Sequence, residues 1–407
     1  MSEWKEMALG DFMTLQRGFD LPESSRVAGD FPVIASTGVV GNHNKAMVKG
    51  PGVIIGRSGS IGGGQFIQGD FWPLNTTLWI KDFKGNDPRF CYYLLKSLDL
   101  TRFNAGSGVP TLNRNHIHPL RIKTTVSVTE QKAIAHILGS LDDKIELNRR
   151  MNETLEAMAR AIFKDWFVDF GPTRAKQEGR NPYLPEHLWS LFPEAIDPQS
   201  GLPIGWKILS LGEMGKVVTG KTPSTKVPEY FGGDIPFITP SDMKGGKGIH
   251  KTTRSLTSEG VNAVKNSLIP AGSIAVSCIG SVGKVAYVVR ESVTNQQINS
   301  IISSEEYSNE FLYYNLVGRK DELQNLSRGG SAVPILNKSH FSQIKTVIPL
   351  QPLLRKFDLI ANSITDKDFA NEEESRTLAE LRDRLLPKLM SGEIRVKDAE
   401  KLVEEVL

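Results

Sequence analysis

Cysteine is nearly absent from this chain. Cys91 and Cys278 are the only two in 407 residues and stand far apart. That excludes a disulfide framework and any Cys-x-x-Cys or Cys/His zinc cluster. Both cysteines are read as small buried apolar residues, and a reducing cytoplasm as the compartment. The seven histidines form no His-Glu-x-x-His pattern, so zinc hydrolase chemistry has no basis in the sequence. A large excess of one sign of charge is missing too. The formal net charge is only +3, so any nucleic-acid footprint must be a local patch and not a polybasic field. The opening "MSEWKEMALGD" carries acids where a secretory leader needs an apolar run, and no signal peptide is expected. Long apolar runs are missing as well. The best candidate, "SLIPAGSIAVSCIGSVGKVAYVV" at 267–289, is broken by Pro270, Gly272, Gly280, Gly283 and Lys284. It reads as strands and turns, and no membrane partner is expected.

What is present repeats itself. "WKEMALGDF" begins at Trp4 and "WKILSLGEM" at Trp206, an offset of 202. Gly59-Ser60 in "PGVIIGRSGSIGG" matches Gly280-Ser281 in "AGSIAVSCIGSVGK", and "FCYYLL" (90–95) matches "FLYYNL" (311–316), both at offset 221. "GSGVPTLN" (106–113) matches "GSAVPILN" (330–337) at offset 224. Four collinear pairs make a tandem duplication. Each half starts with Trp, runs through short β-type segments with Gly/Ser turns, and closes in a long periodic segment.

That closing segment is the clearest structural signal. Ile134, Leu138, Leu141, Ile145, Asn148, Asn152, Leu155, Ala159 and Ile162 recur at alternating steps of 4 and 3, the seam of a coiled coil. Ser127 and Glu130 form a capping-box pattern at its start. In the second half Phe357, Ile360, Ile364, Lys367, Asn371, Glu374, Leu378, Leu381 and Leu385 keep the same rhythm, with Pro352 in the first turn and Pro387 and Gly392 at the end. Asn148 and Asn371 coincide at offset 223, a polar interruption that fixes register; a bundle core with a solvated middle is the alternative. Each helix is expected to span about 35 residues, or about 50 Å. The intervening residues 171–206, rich in Pro, Gly and charge, are long enough to return the chain for an antiparallel pair. The fold class that follows is α+β. Two tandem-duplicated mixed α/β domains are separated by two long helices in an antiparallel coiled coil, with pseudo-twofold symmetry.

Two diverged domains on a rigid spacer make a ruler suited to double-stranded DNA, where half-site spacing follows protein geometry. The segment "TPSDMKGGKGIHKTTR" (239–254) carries Lys244, Lys247, Lys251 and Arg254 against the single acid Asp242, punctuated by Gly245, Gly246 and Gly248. Such loops follow a phosphate backbone. Arg328 and Lys338 flank "GSAVPILN" and Asn337 ends it; Asn113, Arg114, Asn115 and His116 close "GSGVPTLNRNH"; Arg57, Ser58 and Lys284 lie on the Gly-rich turns. Arg and Asn pair with guanine and adenine edges. Taken singly, each loop reads equally well as a solvated turn.

At this point the chain resembles the specificity subunit of type I restriction–modification systems. The resemblance covers nearly all of it. Its marks are the Trp-x-x-x-x-Leu-Gly openings, the "GKTPS" turn, the Gly-Ser turns, the "GSGVPTLN"/"GSAVPILN" pair, the "TEQKAIAHILGSLDDKIELN" helix start and the "HLWSLFPE…GLPIGW" linker. The resemblance implies target-recognition domains at 1–126 and 206–350. Spacer helices are implied at 127–168 and 351–392, a linker at 169–205 and a tail at 393–407. It implies a non-catalytic subunit that reads a split, asymmetric DNA sequence, one half per domain. The subunit would dock two methyltransferase subunits, which use S-adenosylmethionine, and two motor-nuclease subunits, which use ATP and Mg. No cofactor is expected in this chain. Two departures stand out. The second helix opens "PLQPLLRKFDLIA" without the Glu130-Gln131 pair of the first, and the first opens "VSVTEQ" where the family usually has prolines.

One string argues for an enzyme. "GKVVTGKT" (215–222) spells the phosphate-binding P-loop. A working P-loop opens a helix, yet Thr222 is followed by Pro223, and Pro228 comes shortly after. The string is therefore expected to be a turn with Lys221 aimed at DNA. A P-loop NTPase or a stand-alone restriction or methylation enzyme stays as the alternative. For methylation "NPYLP" (181–185) lacks the second proline of the adenine-holding motif, and no Gly-rich strand–helix unit supplies a cofactor pocket.

Overall fold

The computed structural model describes residues 4–244, 246–328 and 333–405. Gly245 of the basic loop, and Gly330, Ser331 and Ala332 of the second Gly-Ser repeat mark, lie outside the described residues. The chain divides into two compact units, Met1–Asn148 with Glu373–Leu407, and Arg149–Glu372. The division falls inside both long helices, Val128–Phe167 and Gln351–Ser391. Each unit is thus a mixed α/β body with one stretch of each helix.

The helices are longer than the roughly 35 residues that the periodicity alone suggests. They have 40 and 41 residues, about 60 Å each. Ser127 Oγ accepts from the Glu130 N–H at 3.5 Å, but the reciprocal half of the expected capping box is replaced. The Glu130 carboxylate takes the Thr125 hydroxyl (2.7 Å) and the Trp4 indole N–H (3.3 Å), tying the helix start to the first strand. A complete capping box forms at Ser210 and Glu213. The second helix passes through Pro387 and does not stop there. Leu385, Leu386, Leu389 and Met390 are buried around that turn, and their packing outweighs the backbone hydrogen bond the proline removes. Gly392 ends the helix with a φ of +74°, where a Cβ would meet the Trp4 ring at 2.9 Å.

The seam is largely as the periodicity predicts. Ile134, Leu138, Leu141, Asn148, Ala159, Phe357, Ile364, Asn371, Leu378, Leu381 and Leu385 are buried. Ile145, Leu155, Ile162 and Ile360 are half-buried. Lys367 is the exception. It is exposed, and Thr365 and Asp368 turn inward beside it. The helices run antiparallel in both units. In the first unit Asp142 bonds Arg382, and Asn148 donates to Glu374 and Ser375. In the second unit Asn371 donates to Asn152, and Phe163 meets Phe357 at 5.6 Å.

The duplication is visible strand by strand. Trp4–Ala8 pairs antiparallel with Arg121–Thr125, and Lys207–Ser210 pairs antiparallel with Lys345–Ile348. The first unit's larger sheet orders Thr14–Arg17, Thr77–Asp82, Gly52–Gly56 and Gly62–Ile67. The second unit's orders Gly215–Thr219, Ile298–Ser303, Ile274–Ser277 and Val285–Val288, then adds a short fifth strand, Gly248–Ile249. Smaller three- and four-stranded sheets lie beside them. Each unit has its own large apolar core, built on Phe12, Phe90, Leu138 and Leu389 in the first and on Phe163, Phe311, Tyr314 and Phe357 in the second. Among the described residues no helix is long and apolar enough to cross a membrane.

Candidate nucleic-acid interface

In the first unit the strand Gly52–Gly56 ends in a tight turn. A Cβ at Gly56 would lie 1.9 Å from the Ser60 carbonyl, and Gly59 has a φ of +83°. The Arg57 and Ser58 N–H groups both donate to the Thr76 carbonyl, at 2.8 and 3.1 Å. The repeat loop folds back on this turn. Leu112 N–H donates to Arg57 O (2.8 Å) and Gly59 N–H to Pro110 O (2.9 Å). Asn113 then caps the short helix Arg114–Ile117, its Oδ1 accepting from Asn115 N–H at 3.0 Å. Ile117 is fully buried and anchors the helix, which leaves Arg114, Asn115 and His116 exposed. Arg57 is half-buried and donates to the Asn75 carbonyl. Residues from 57–58 and 113–116, distant in sequence, therefore share one loop cluster.

The second unit repeats the arrangement. Leu336 N–H donates to Cys278 O (2.8 Å) and Gly280 N–H to Pro334 O (3.1 Å), with Gly280 at a φ of +74°. Asn337 Oδ1 accepts from His340 N–H (2.9 Å) and caps Lys338–Ser342, which the fully buried Phe341 anchors. Lys338 is exposed. The far side of the same turn carries Lys284, whose ammonium donates to the Pro240 carbonyl (2.8 Å) and so meets the 239–254 loop. Asp242 holds that loop closed. It accepts from the N–H and hydroxyl of both Thr239 and Thr253. Burial alone would raise the Asp242 pKa, and these bonds outweigh it and hold the carboxyl below its ordinary range.

Not every candidate is placed where the sequence suggested. Lys247 is a correction. It is 4% exposed and its ammonium is enclosed by Glu310, Tyr314 and Thr365, so it cannot reach a phosphate. Burying an ammonium is costly unless it is paired, and pairing is what the structure supplies. Asn113 and Asn337 spend their carbonyl oxygens on helix caps. Arg254 is exposed, with its guanidinium stacked over Phe231 (4.4 Å) and Phe237 (5.3 Å). Lys244, Lys251 and Arg328 are exposed. Two further cations that no motif marked are Arg160, which bonds Glu156 at 2.8 Å, and Lys320. They join Lys244 and Lys284 around a cavity of about 490 Å³ that Met243 and Tyr313 also line. Arg160 lies outside the helix seam and Lys320 outside any motif, so nothing in the sequence marked them.

The P-loop string does not form a phosphate cradle. Gly215–Thr219 is a strand paired with Ile298–Ser303, no helix follows it, and the next element is the one-turn Pro228–Tyr230. Gly220 is required by a crossing backbone: a Cβ there would lie 2.1 Å from the Asn295 carbonyl. Lys221 is exposed, and Thr222 donates to Gln296. Both cysteines are free and buried; burial pushes the Cys278 thiol up to about 11 and raises that of Cys91 as well. Among the described residues no group of three or more His, Cys, Asp and Glu could hold a metal ion.

The type I restriction modification DNA specificity domain matches this chain twice, at residues 1–157 and 203–356. The chain belongs to the type I restriction–modification specificity family. It is similar to the specificity subunit of the type I restriction enzyme HindI of Haemophilus influenzae. The two are 34% identical over an alignment of 467 residues, covering 97% of this chain and all of that protein. It is also similar to the MjaIX specificity subunit of Methanocaldococcus jannaschii, at 26% identity over 336 residues, 80% of this chain and 74% of the relative. The crystal structure of a type I S subunit from M. genitalium has the same fold, with a TM-score of 0.61 at 19% identity over 96% of each chain. DNA sequence recognition is therefore the function of this specificity subunit, and nothing in the comparisons favours a nucleotide hydrolase.

Proposed function

We propose that each unit of this specificity subunit reads one half of a bipartite, asymmetric DNA site, and that the long helices set the gap between the halves. The observation that carries this reading is the paired loop cluster. The same turn-and-loop scaffold recurs in both units but presents different side chains, Arg57, Ser58, Arg114, Asn115 and His116 in one, and Lys338, Lys284 and Lys244 in the other. Unlike surfaces on like scaffolds read unlike sequences. Lys221, Lys251, Arg254 and Arg328 would add phosphate contacts, as would the Arg160 and Lys320 cavity. In this reading the recognition domains are 1–126 and 206–350, with the helices at 127–168 and 351–392 as spacers. The chain itself carries no catalytic step and no cofactor. Methyl transfer with S-adenosylmethionine belongs to two methyltransferase subunits, and ATP- and Mg-dependent translocation and cleavage to two motor-nuclease subunits.

The test is genome-wide methylation mapping of cells that express this chain with the methyltransferase subunit from the same source. The expected result is one motif of two unlike halves separated by a fixed number of unspecified base pairs. A continuous motif or a palindrome overturns the proposal. The purified chain should release no phosphate from ATP above a blank; turnover abolished by Lys221→Ala would restore the P-loop alternative.

A further inference from the structure

Lys247 is withdrawn from the surface for a reason. It immediately precedes the fifth strand, Gly248–Ile249, and its carbonyl accepts from Tyr287 N–H at 2.8 Å. That strand belongs to an insertion. The offset between the halves grows from 202 at Trp4 and Trp206 to 221 at Gly59 and Gly280, and among the described residues the first unit's sheet has four strands only. From the insertion the Lys247 side chain runs into the interior. Its ammonium donates to Glu310 Oε2 (3.0 Å), to the Tyr314 hydroxyl (2.9 Å) and to the Thr365 hydroxyl. It lies 4.5 and 4.8 Å from the ring centroids of Tyr314 and Tyr313. Thr365 in turn donates to Glu310 Oε1 (2.9 Å), and Tyr314 donates to Glu156 (3.0 Å). One buried ammonium thus ties the inserted strand to helix Asn309–Val317, to the second long helix at Thr365 and, through Tyr314, to the first long helix at Glu156.

The first unit solves the same contact with the opposite polarity. Tyr93, which matches Tyr314 at offset 221, donates to Asp142 at 2.6 Å. Arg89, at the position of Glu310, bonds Asp143, and Asp142 also bonds Arg382. Asp142 matches Thr365 at offset 223. In the first unit the long helix supplies the acid and the short helix the cation. In the second an added buried acid, Glu310, stands on the short helix and the cation arrives on the insertion, while Glu156 of the first long helix accepts from Tyr314. Glu310 is 2% and Lys247 4% exposed, so each charge is tolerable only with the other in place. A buried ion pair contributes little net stability over an apolar pair of similar volume, but its directional bonds admit one geometry.

We propose that Lys247 is a positioning residue that fixes the angle of the second reading domain on the long helices, and thereby the length of gap the protein accepts between half-sites. The proposal rests on the bipartite reading above. It is tested with the full chain in its methyltransferase complex, on duplexes whose gap is native, one base pair shorter or one longer. The double variant Lys247→Met with Glu310→Gln removes both charges and keeps volume. It should melt close to wild type and keep the base preference at both half-sites, while the preference for the native gap over its neighbours falls at least tenfold. Thr365→Val, which removes only the helix-side hydroxyl, should move gap preference in the same direction by a smaller factor. Lys247→Met alone should melt lower, because Glu310 is stranded. Unchanged gap preference in folded double and Thr365→Val variants overturns the proposal, as does loss of base preference with the gap preference intact. If wild type itself shows no gap preference, the bipartite reading fails instead.

Discussion

Asn113 and Asn337 stand at matching places and each caps a short helix that aims basic or amide side chains outward. Their chemistry fits both adenine recognition and capping, and single variants can separate the two. Asn113→Ala should cost about 1 kcal/mol in urea denaturation of the complex. Asn113→Ser restores a capping oxygen but has no amide to pair with a base. The serine variant should keep wild-type stability and wild-type methylation; a stable serine variant that loses the first half-site would make Asn113 a base contact. Asp368 offers a second residue-scale prediction. Burial, reinforced by Glu372, pushes its pKa up to about 6, and Lys247 and His250 pull the other way only in part. The folded state therefore holds this proton after the unfolded chain, with an aspartate pKa near 4, has released it. The stabilising contribution is complete below about pH 4 and is lost as pH rises through about 6. Asp358, also raised to about 6 by burial, titrates in the same window, so the variant must be compared with wild type at each pH. Asp368→Asn should raise the melting temperature at pH 7 and leave it nearly unchanged at pH 4, read by calorimetry.

The two long helices are the elements on which the proposed gap depends. Their seam was legible because apolar residues at alternating steps of 3 and 4 have few other uses. Two details were not. Pro387 reads as a terminator in sequence, but the buried leucines around it keep the helix going. Lys367 reads as a seam position, but the turn that holds Thr365 and Asp368 faces the Lys247 network instead. Inserting one heptad near Asn148 and one near Asn371 keeps the seam in phase. It lengthens the pair by roughly 10 Å, equivalent to about 3 base pairs. Three base pairs also rotate the groove by roughly 100°, given about 10.5 per turn. The paired insertion should abolish methylation at the native gap, and a gap lengthened by three should restore little of it, as read by genome-wide methylation. Native-gap methylation by the inserted protein would show that the helices do not set the distance.

At the scale of the whole molecule, duplication predicts independence. Substituting Arg114 and Asn115 by alanine should weaken reading of the first unit's half-site by tenfold or more and leave the other half-site's base preference intact. Lys338→Ala with Lys284→Ala should do the reverse. Base-substituted duplexes measure both, and loss spread equally over the two half-sites would mean folding damage in place of lost contacts. The unequal charge patterns at Arg89–Asp143 and Lys247–Glu310 add that the units have diverged where they meet the helices as well as where they face outward.

Periodicity, collinear repeats and turn glycines are local or pairwise patterns, and such patterns are written directly in the chain. They determined the α+β class, the duplication, the antiparallel helices and the rejection of the P-loop, since a proline after "GKT" forbids the helix that string needs. What a charged side chain does is decided by its surroundings. Lys244 and Lys247 sit three residues apart in one basic loop, and composition cannot tell them apart. Only the fold, by bringing Glu310 and Thr365 to one of them and solvent to the other, makes the first a surface cation and the second a buried strut.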